Sequence, residues 1–369
     1  MQLFARVQAP HGFGRCIAPE VLVKSRGVVV ATVVLAIGIV SRSCARMPEL
    51  PFGSSADMSP PVIVSIRLAE SRVLRVEFDE EVVVIPDSVS WSDAIGPDDV
   101  VVTAAGRSVD FRFGSAPSPA EEHYVEAQVS DESRNHLRFA ARFHGLNELL
   151  PAMVINEFTT QGSKTHPDLV EIRVLTPGNT AGACLFEGTS REWSQRVVLP
   201  SIDVEAGDYI VVHFKPEGLS VEIDETTRMD ESGGIDATGT AWDLWVPDGT
   251  GLSGNNGVIS LYENPLGGLI DAVLYSNRTS SSDERYRGFG STVLMDQADE
   301  IVIEHHWIAS GTLVAPEDAV NPEPSTSTRS MARSSDSVDT NRRTDWHVTP
   351  TRGLSPGAAN TDEQYQPAE

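Results

Sequence analysis

Short runs in which apolar and polar residues alternate dominate the chain between residues 60 and 151. Seven such runs are separated by turn-forming residues: VIVSIRL, VLRVEF, EVVVI, DVVVT, VDFRF, HYVEAQV and HLRFAARF. Successive side chains of a β-strand point to opposite faces of a sheet, so a period of two places the apolar residues on one face. Valine-rich runs at this short spacing are typical of an all-β sandwich or barrel. The pattern predicts a β-sandwich over residues 61–150.

The first and last strands of this segment resemble bacterial Ig-like surface domains. The opening stretch is VIVSIRLAESRVLRVEFDEEVVV, in which an "x-V-x-F-x-E-x-V" strand follows a turn, and the closing stretch is VSDESRNHLRFAARFHGLN. Asp131 and Asn135 stand where such domains often carry an Asp and an Asn at a turn. The resemblance implies an Ig-like fold for this first sandwich.

Residues 151–360 contain five blocks in the order in which they occur in a known domain family. The blocks are Ile155-Asn156-Glu157, Asp168-Leu169-Val170-Glu171-Ile172, Leu199-Pro200 with Gly207-Asp208-Tyr209, Leu261-Tyr262 through Asp271 to Tyr275, and Asp345-Trp346 with Gly357 and Asn360. The arrangement resembles the lamin tail domain, an Ig-like β-sandwich found in nuclear lamins and in many secreted bacterial proteins. The last block has two residues more than the usual spacing. The resemblance implies an all-β chain of two Ig-like sandwiches in tandem, with insertions in the second.

Acidic residues within these blocks invite two interpretations. Glu157 and Glu171 stand at the ends of apolar strands, where a carboxylate accepts hydrogen bonds from turn amides. The pair Gly207-Asp208 is of the kind that closes a hairpin. A general acid–base pair of glutamates is the alternative, but neither has a histidine or nucleophile near it in sequence. We expect a structural role and no catalytic residue.

An uncharged apolar run at residues 27–40, GVVVATVVLAIGIV, follows Lys24 and Arg26. It is shorter than the ~20 residues of a transmembrane helix and matches the apolar core of an export signal. A buried strand or core helix is the alternative, but the Pro-, Gly- and Ser-rich stretch that follows is a poor start for a packed element. We expect a signal over residues 1–44 and a linker at residues 45–60.

Cys44 lies just past this run, which resembles the lipobox of bacterial lipoproteins, where the cysteine is acylated and becomes the first mature residue. Arg42 departs from that pattern, and cleavage after Ala45 or an uncleaved anchor are the alternatives. The resemblance implies lipidation at Cys44 and a place in the cell envelope, periplasmic or surface-facing. With Cys44 acylated, Cys184 has no internal partner and is expected to be buried.

Two insertions expand the second sandwich. An acidic, glycine-containing loop at residues 222–243 offers Asp224, Asp230 and Asp236 as oxygen ligands for calcium. A solvated acidic loop is the alternative, because the D-x-D-x-D-G spacing is missing. The second insertion, residues 292–310, has the apolar spacing of one helix face. After Asn360 we expect a disordered tail over residues 361–369.

The second insertion also contains His305-His306, a pair that the periodicity places within the helix. Neighbouring residues on a helix point about 100° apart, so two adjacent histidines are poorly placed to bind one zinc ion.

Charge and motif content narrow the function. The chain has 53 acidic and 28 basic side chains, a formal charge of −25, and no basic run that would neutralise phosphates, so we expect no nucleic-acid partner. None of the usual hydrolase, nucleotide-binding or zinc motifs occurs. The sequence predicts a non-enzymatic, membrane-tethered lipoprotein that binds an envelope protein or glycan and touches the bilayer only through its acyl anchor. The alternative is a calcium-dependent accessory or hydrolase-associated exported protein.

Overall fold

The computed structural model describes residues 57–92 and 100–367 of the chain. The apolar run at residues 27–40, the signal expected over residues 1–44 and the proposed lipidation site Cys44 lie outside these residues. None of the helices within the described ranges has the length and hydropathy needed to cross a bilayer.

The N-terminal unit, residues 57–144, is built from two antiparallel sheets. Its strands are β1 (Ile63–Glu70), β2 (Val73–Phe78), β3 (Val83–Val84), β4 (Ser90–Trp91), β5 (Val100–Ala105), β6 (Ser108–Phe113), β7 (Glu122–Ser130) and β8 (His136–His144). One sheet has the order β1-β2-β6-β5, and in the other β7 pairs with β3, β4 and β8. The inward residues of both sheets, Val76, Phe111, Val125 and Phe139 among them, form one buried cluster. Each alternating run of the sequence contributes a strand to this unit.

The C-terminal unit, residues 153–367, contains a second pair of sheets and one α-helix. Its elements are β9 (Met153–Phe158), β10 (Leu169–Val174), β11 (Gly178–Asn179), β12 (Cys184–Gly188), β13 (Trp193–Val198), β14 (Asp203–Val204), β15 (Tyr209–His213), β16 (Trp242–Trp245), β17 (Asn256–Tyr262), β18 (Leu269–Ser276), α1 (Thr292–Ile303), β19 (Met331–Arg333) and β20 (Trp346–Val348). Short 3₁₀ turns occur at Pro86–Ser88, Ser280–Ser282, Pro316–Asp318 and Arg343–Asp345. The described chain is therefore predominantly β, which confirms the all-β expectation.

Two sheets of the C-terminal unit enclose its main core. The first has the order β16-β15-β10-β9-β19-β20, in which β15 and β16 are parallel and the other pairs antiparallel, and the second has the order β13-β12-β17-β18. Ile155, Ile172 and Ile210 from the first sheet meet Val258 and Leu274 from the second in one buried cluster. The small pair β11–β14 lies apart from both sheets. Cys184, on β12, is fully buried and free, and burial raises the pKa of its thiol to about 12, which keeps it unreactive.

The helix is shorter than the sequence predicts. Ser291 caps its N-terminus by accepting a hydrogen bond from the Leu294 amide (3.1 Å). It ends at Ile303, so the expected span of residues 292–310 is wrong, and His305-His306 follow the helix instead of lying within it. Trp307 explains the early end: it is buried in the core, and a continued helix would have turned it away from the face that carries Ile301.

The chain leaves the helix through a left-handed residue. His305 has φ +65°, and the amides of His305 and His306 donate to the carbonyls of Val302 (3.1 Å) and Ile301 (2.9 Å). These two bonds form a Schellman motif, in which glycine is the usual left-handed residue.

The segment after Asn360 also differs from expectation. The Tyr365 amide donates to the Val348 carbonyl (2.8 Å), the Arg329 guanidinium lies 4.2 Å from the centre of the Tyr365 ring, and Asp362 accepts from the Ser335 amide (2.8 Å). Residues 361–367 therefore contact the fold, where the sequence predicts a disordered tail.

Replacing His305 with glycine is expected to stabilise the protein. Glycine adopts φ +65° without the Cβ clash that histidine bears, and we expect a gain of about 0.5–1 kcal/mol in the free energy of unfolding. Urea denaturation measures it. His306→Gly is the matched control, because its backbone is not left-handed, and it should destabilise instead; a His305→Gly variant that loses stability would contradict the assignment.

Candidate functional site

A bulge in β9 places two polar residues of the Ile155-Asn156-Glu157 block on the same face of the sheet. Ile155 pairs with Ile172 and Glu157 pairs with Glu171, so Asn156 is passed over in the register. A bulge of this kind re-aims side chains locally. Ile155 consequently enters the core, whereas Asn156 and Glu157 face outward from it.

Glu157 and Glu171 are directly opposite each other on β9 and β10, and both are fully buried. Glu157 accepts hydrogen bonds from the Ser330 hydroxyl and from the amide (3.0 Å) and hydroxyl (3.2 Å) of Ser355. Glu171 accepts from the Asn156 side-chain amide (2.7 Å) and from the Gly357 amide (2.7 Å). The expected turn-amide donors are thus present, but both glutamates lie within strands and not at strand ends.

Burial governs the protonation of this pair. Desolvation raises the pKa of Glu157 to about 7. Desolvation and the neighbouring Glu157 raise the pKa of Glu171 well above its ordinary value. Two carboxylates side by side in a buried site cannot both ionise easily, so they titrate as one coupled pair. At neutral pH the pair retains at least one proton.

The C-terminal segment covers these carboxyl groups. Gly357 has φ +73°, and a Cβ on it would lie 2.5 Å from the Thr240 hydroxyl, so the segment can follow the sheet closely only with glycine there. Asn360 donates to the carbonyls of Asn156 (3.1 Å) and Arg333 (3.1 Å). The closing block therefore acts as a lid over the outer face of the first sheet.

Asp271 and Arg333 link the two sheets through a buried ion pair. Asp271 is on β18 of the second sheet and Arg333 on β19 of the first. The guanidinium Nη2 lies 3.1 Å from both carboxylate oxygens, and both side chains are at most 1% exposed. Asp271 also accepts from the Ile155 amide (2.7 Å). Burial raises the pKa of Asp271, and the Arg333 charge opposes that rise.

Four further groups surround the guanidinium of Arg333. Its Nε donates to the Ile155 carbonyl (2.7 Å), its Nη1 donates to Asp339 (2.9 Å), and Asp345 lies 3.5 Å away. The ring of Trp346 lies 4.6 Å from the guanidinium carbon and packs edge-on against Phe158. Asp345 also caps its own turn by accepting from the amides of residues 340 and 342.

The remaining block residues fix loops. Asp168 accepts from the Gly162 amide (2.6 Å) and the Leu252 amide (3.0 Å), and burial raises its pKa. Asp208 accepts from the Glu205 amide (2.9 Å) in the turn before β15, where Gly207 has φ +98°. These positions hold turns at the ends of the sandwich.

The acids of the 222–243 loop are separated from one another by their own contacts. Asp224 accepts from the Trp245 amide (2.7 Å), Asp230 pairs with Arg228 (3.2 Å), and Asp236 contacts His166 (2.9 Å). Within the described ranges, the one set of three acidic, histidine or cysteine side chains whose ligand atoms lie within 4.8 Å of one another is Asp57, Glu80 and Asp131. The calcium ligands considered for the loop are therefore not brought together.

Two other acids of that loop serve as internal backbone acceptors. Glu225, fully buried, accepts from the amides of Glu231 (2.8 Å), Ser232 (2.8 Å) and Asp243 (2.9 Å). Asp243, also buried, contacts the His213 ring (2.7 Å) and the Thr238 amide (2.8 Å).

A cleft of about 420 Å³ opens at the opposite side of the fold, between the β12–β13 hairpin and the start of α1. Its lining includes Glu187, Trp193, Ser253, Asn256, Val293 and Gln297. A smaller recess of about 220 Å³ lies beside Trp346 and Val320. The cleft falls within the range of about 300–1,000 Å³ that is usual for small-ligand sites.

Sequence reasoning missed this cleft. Its residues come from four separate stretches of the chain, and no motif joins them. The one usable signal was Trp193, a tryptophan within the polar stretch SREWSQR.

A family model described as "TP_1001_2nd: protein second domain" matches residues 151–348, more than half of the chain. An uncharacterized protein of Treponema pallidum (strain Nichols) is 23% identical over 179 residues, which cover 48% of this chain and 45% of that protein. The chain thus spans less than half the length of this relative. A solved structure of a DUF4876 family protein from Bacteroides thetaiotaomicron VPI-5482 is 10% identical, covers 70% of this chain and 91% of that chain, and has a TM-score of 0.27.

Removing the guanidinium of Arg333 is expected to destabilise the C-terminal unit strongly. Arg333→Met leaves the buried Asp271 without its counter-ion, and we expect a loss of about 3–5 kcal/mol in the free energy of unfolding. Urea denaturation followed by tryptophan fluorescence reports this unit, because five of the six tryptophans lie there. The double variant Asp271→Asn/Arg333→Met should recover part of the loss. Arg138→Met, in an exposed pair, is the control; an equal loss in both single variants would refute the role of burial.

Stability of the C-terminal unit is expected to fall between pH 5 and pH 8. The folded-state pKa of Glu157 is raised from 4.5 to about 7, so this group stabilises the fold below its unfolded pKa, and the contribution is lost as pH rises through about 7. The shift corresponds to about 3 kcal/mol. Glu157→Gln, which is neutral at every pH, should flatten the profile measured by urea denaturation at several pH values. An unchanged slope in this variant would show that Glu157 does not titrate in the folded state.

Proposed function

We propose that this chain, which belongs to the family described as "TP_1001_2nd: protein second domain", is a non-enzymatic lipoprotein of the cell envelope. It is exported and anchored in a membrane by acylation of Cys44. The folded units act outside the cytoplasm as a binding or structural module, facing the periplasm or the surface. The apolar run at residues 27–40, its basic flank and the following cysteine support export and anchoring.

In this proposal the chain carries two Ig-like sandwiches in tandem, and the second is a lamin-tail-like domain. Two observations support the tandem arrangement: each unit has its own pair of sheets, and each has its own buried cluster. The junction is short and ordered, because Asn147 donates to the carbonyls of Asn179 (2.7 Å) and Ala181 (2.9 Å). The inserted helix α1 packs on β17 and β18 and leaves the sheet order intact.

One observation carries the binding role more than any other. Three carboxylates of the sequence blocks, Glu157, Glu171 and Asp271, are the candidates for acid–base chemistry. All three are fully buried and accept hydrogen bonds from amides, hydroxyls or a guanidinium of the fold itself. Groups used in this way stabilise a rigid scaffold. A rigid sandwich that presents loops and a cleft suits recognition, and it supports a binding or spacing module.

The partner in this proposal is a protein or glycan of the envelope. A net charge of −25 disfavours nucleic acid and anionic lipid surfaces, so the bilayer is contacted only through the acyl chain. The calcium-dependent or hydrolase-associated alternative ranks second. It relied on the 222–243 loop, whose Asp224, Asp230 and Asp236 each contact a different partner.

The anchor is tested by the intact mass and N-terminal peptide of the protein extracted from its own cells, with a Cys44→Ala variant for comparison. We expect the native protein to begin at Cys44 and to carry added acyl mass, because the thiol is the acceptor of the acyl group. The variant should lack that mass and lose membrane association. A mature start at Arg46, or an unprocessed N-terminus, would contradict lipidation while leaving export open.

A further inference from the structure

We propose that the cleft between the β12–β13 hairpin and α1 binds a neutral saccharide, with Trp193 as the platform on which a sugar ring stacks. The inference rests on the proposed binding role and names the ligand class for it. Two features of the cleft carry it: an exposed aromatic ring, and polar side chains fixed by hydrogen bonds to the fold.

Trp193 is exposed in a way that the packing of the fold does not explain. It is 42% exposed, whereas the tryptophans of the core, such as Trp307 and Trp346, are at most 8% exposed. It lies on β13, the edge strand of its sheet. An exposed aromatic ring beside a recess is available to contact a bound ligand.

The ring of Trp193 is also held in place. The Arg196 guanidinium carbon lies 4.8 Å from its centroid, and Phe186 packs against it at 6.2 Å with the rings tilted by 50°. A ring that is already immobilised loses little conformational entropy when a ligand stacks on it.

Two glycines line the cleft, Gly188 and Gly257. A Cβ on Gly257 would lie 2.5 Å from the hydroxyl of the buried Tyr275, and Gly188 has φ +121°. The fold itself therefore requires glycine at both positions.

Two side-chain amides of the cleft are fixed by the hydrogen bonds that their nitrogen atoms donate, which leaves their oxygen atoms as acceptors. Asn256 donates to the Phe289 carbonyl (3.0 Å), and Gln297 donates to the Glu192 carbonyl (2.8 Å). Within the described part of the chain, neither side-chain oxygen accepts a hydrogen bond. Ser194, Ser253 and Ser291 line the same space. The Ser194 hydroxyl donates to the Glu187 carboxylate, and the Ser291 hydroxyl accepts from the Leu294 amide. This mixture of fixed acceptors and hydroxyls matches the hydroxyl groups of a sugar, each of which both donates and accepts.

Charge decides between a neutral and a charged ligand. Glu187 and Glu192 line the cleft and repel anions, as does the net charge of −25. The guanidinium of Arg196 already lies over the Trp193 ring, so its charge would repel a second cation near that ring. A neutral ligand with one apolar face and many hydroxyls avoids both conflicts.

The test uses the purified full-length chain. An array of neutral oligosaccharides is screened first. The trimers that bind are then titrated by calorimetry, and the trimers of glucose, mannose and N-acetylglucosamine are titrated in every case. We expect millimolar or tighter binding that does not depend on salt. Trp193→Ala should weaken it about tenfold or more, as loss of an aromatic anchor does. Val293→Trp, which fills the cleft from an exposed helix position, should also weaken it and leaves Trp193 in place.

Tyr124→Ala is the matched control, because Tyr124 is an equally exposed aromatic (43%) on β7 of the N-terminal unit, and it should bind normally. Thermal unfolding confirms that each variant is folded. The proposal is overturned if no neutral glycan binds, or if both cleft variants bind as tightly as the native chain. Salt-sensitive binding of a lysine-rich peptide, lost in Glu192→Gln, would overturn it in favour of a cationic partner. None of these outcomes affects the acyl mass on Cys44, which tests the anchor. Failure of the saccharide site and failure of the anchor are therefore distinguishable.

Discussion

The ion pair between Asp271 and Arg333 is the interaction on which the rest of the C-terminal unit depends. It joins one strand of each sheet inside the core, and Arg333 bonds at the same time to the Ile155 carbonyl of β9. A buried pair gives little net stability over well-packed apolar residues, because desolvation offsets its Coulomb attraction. Its effect is on specificity. Any register of β9, β18 or β19 that separates the two charges leaves one of them buried and uncompensated, so the pair selects one alignment of the sheets.

The glutamates on the outer face of the first sheet extend the same constraint to the C-terminus. An outer face that met water would tolerate Glu157 and Glu171 as ordinary ionised side chains. Here the chain end covers them, and the amides of Ser355 and Gly357 bond to the two carboxyl groups. The closing segment therefore belongs to the sandwich although it adds no strand. It also explains why the first and last sequence blocks occur together: one supplies the buried acceptors and the other supplies their donors.

Local pattern accounts for the parts of the fold that were predictable. The alternating runs located the N-terminal strands, because each run coincides with one strand. Other features depend on contacts distant in sequence. The glutamates were assigned to strand ends because sequence does not reveal that Asn156 is bulged. The end of α1 was misplaced because Trp307 looks apolar at helical spacing, while only the folded core shows that it must face another way. Calcium was considered at the 222–243 loop because sequence gives the acids but not the amides that they accept from.

The buried polar side chains of the first sheet and the cleft beside Trp193 direct their hydrogen-bonding groups differently. Asn156, Glu157, Glu171 and Arg333 occupy the first sheet and its cover, and their hydrogen-bonding capacity is directed inward. The cleft instead lies beside the β12–β13 hairpin of the second sheet, and α1, an insertion relative to the strand pattern, forms its other wall. The helix packs on β17 and β18, and its Gln297 side chain donates to the Glu192 carbonyl just before β13. The insertion therefore turns the surface beside Trp193 into a recess.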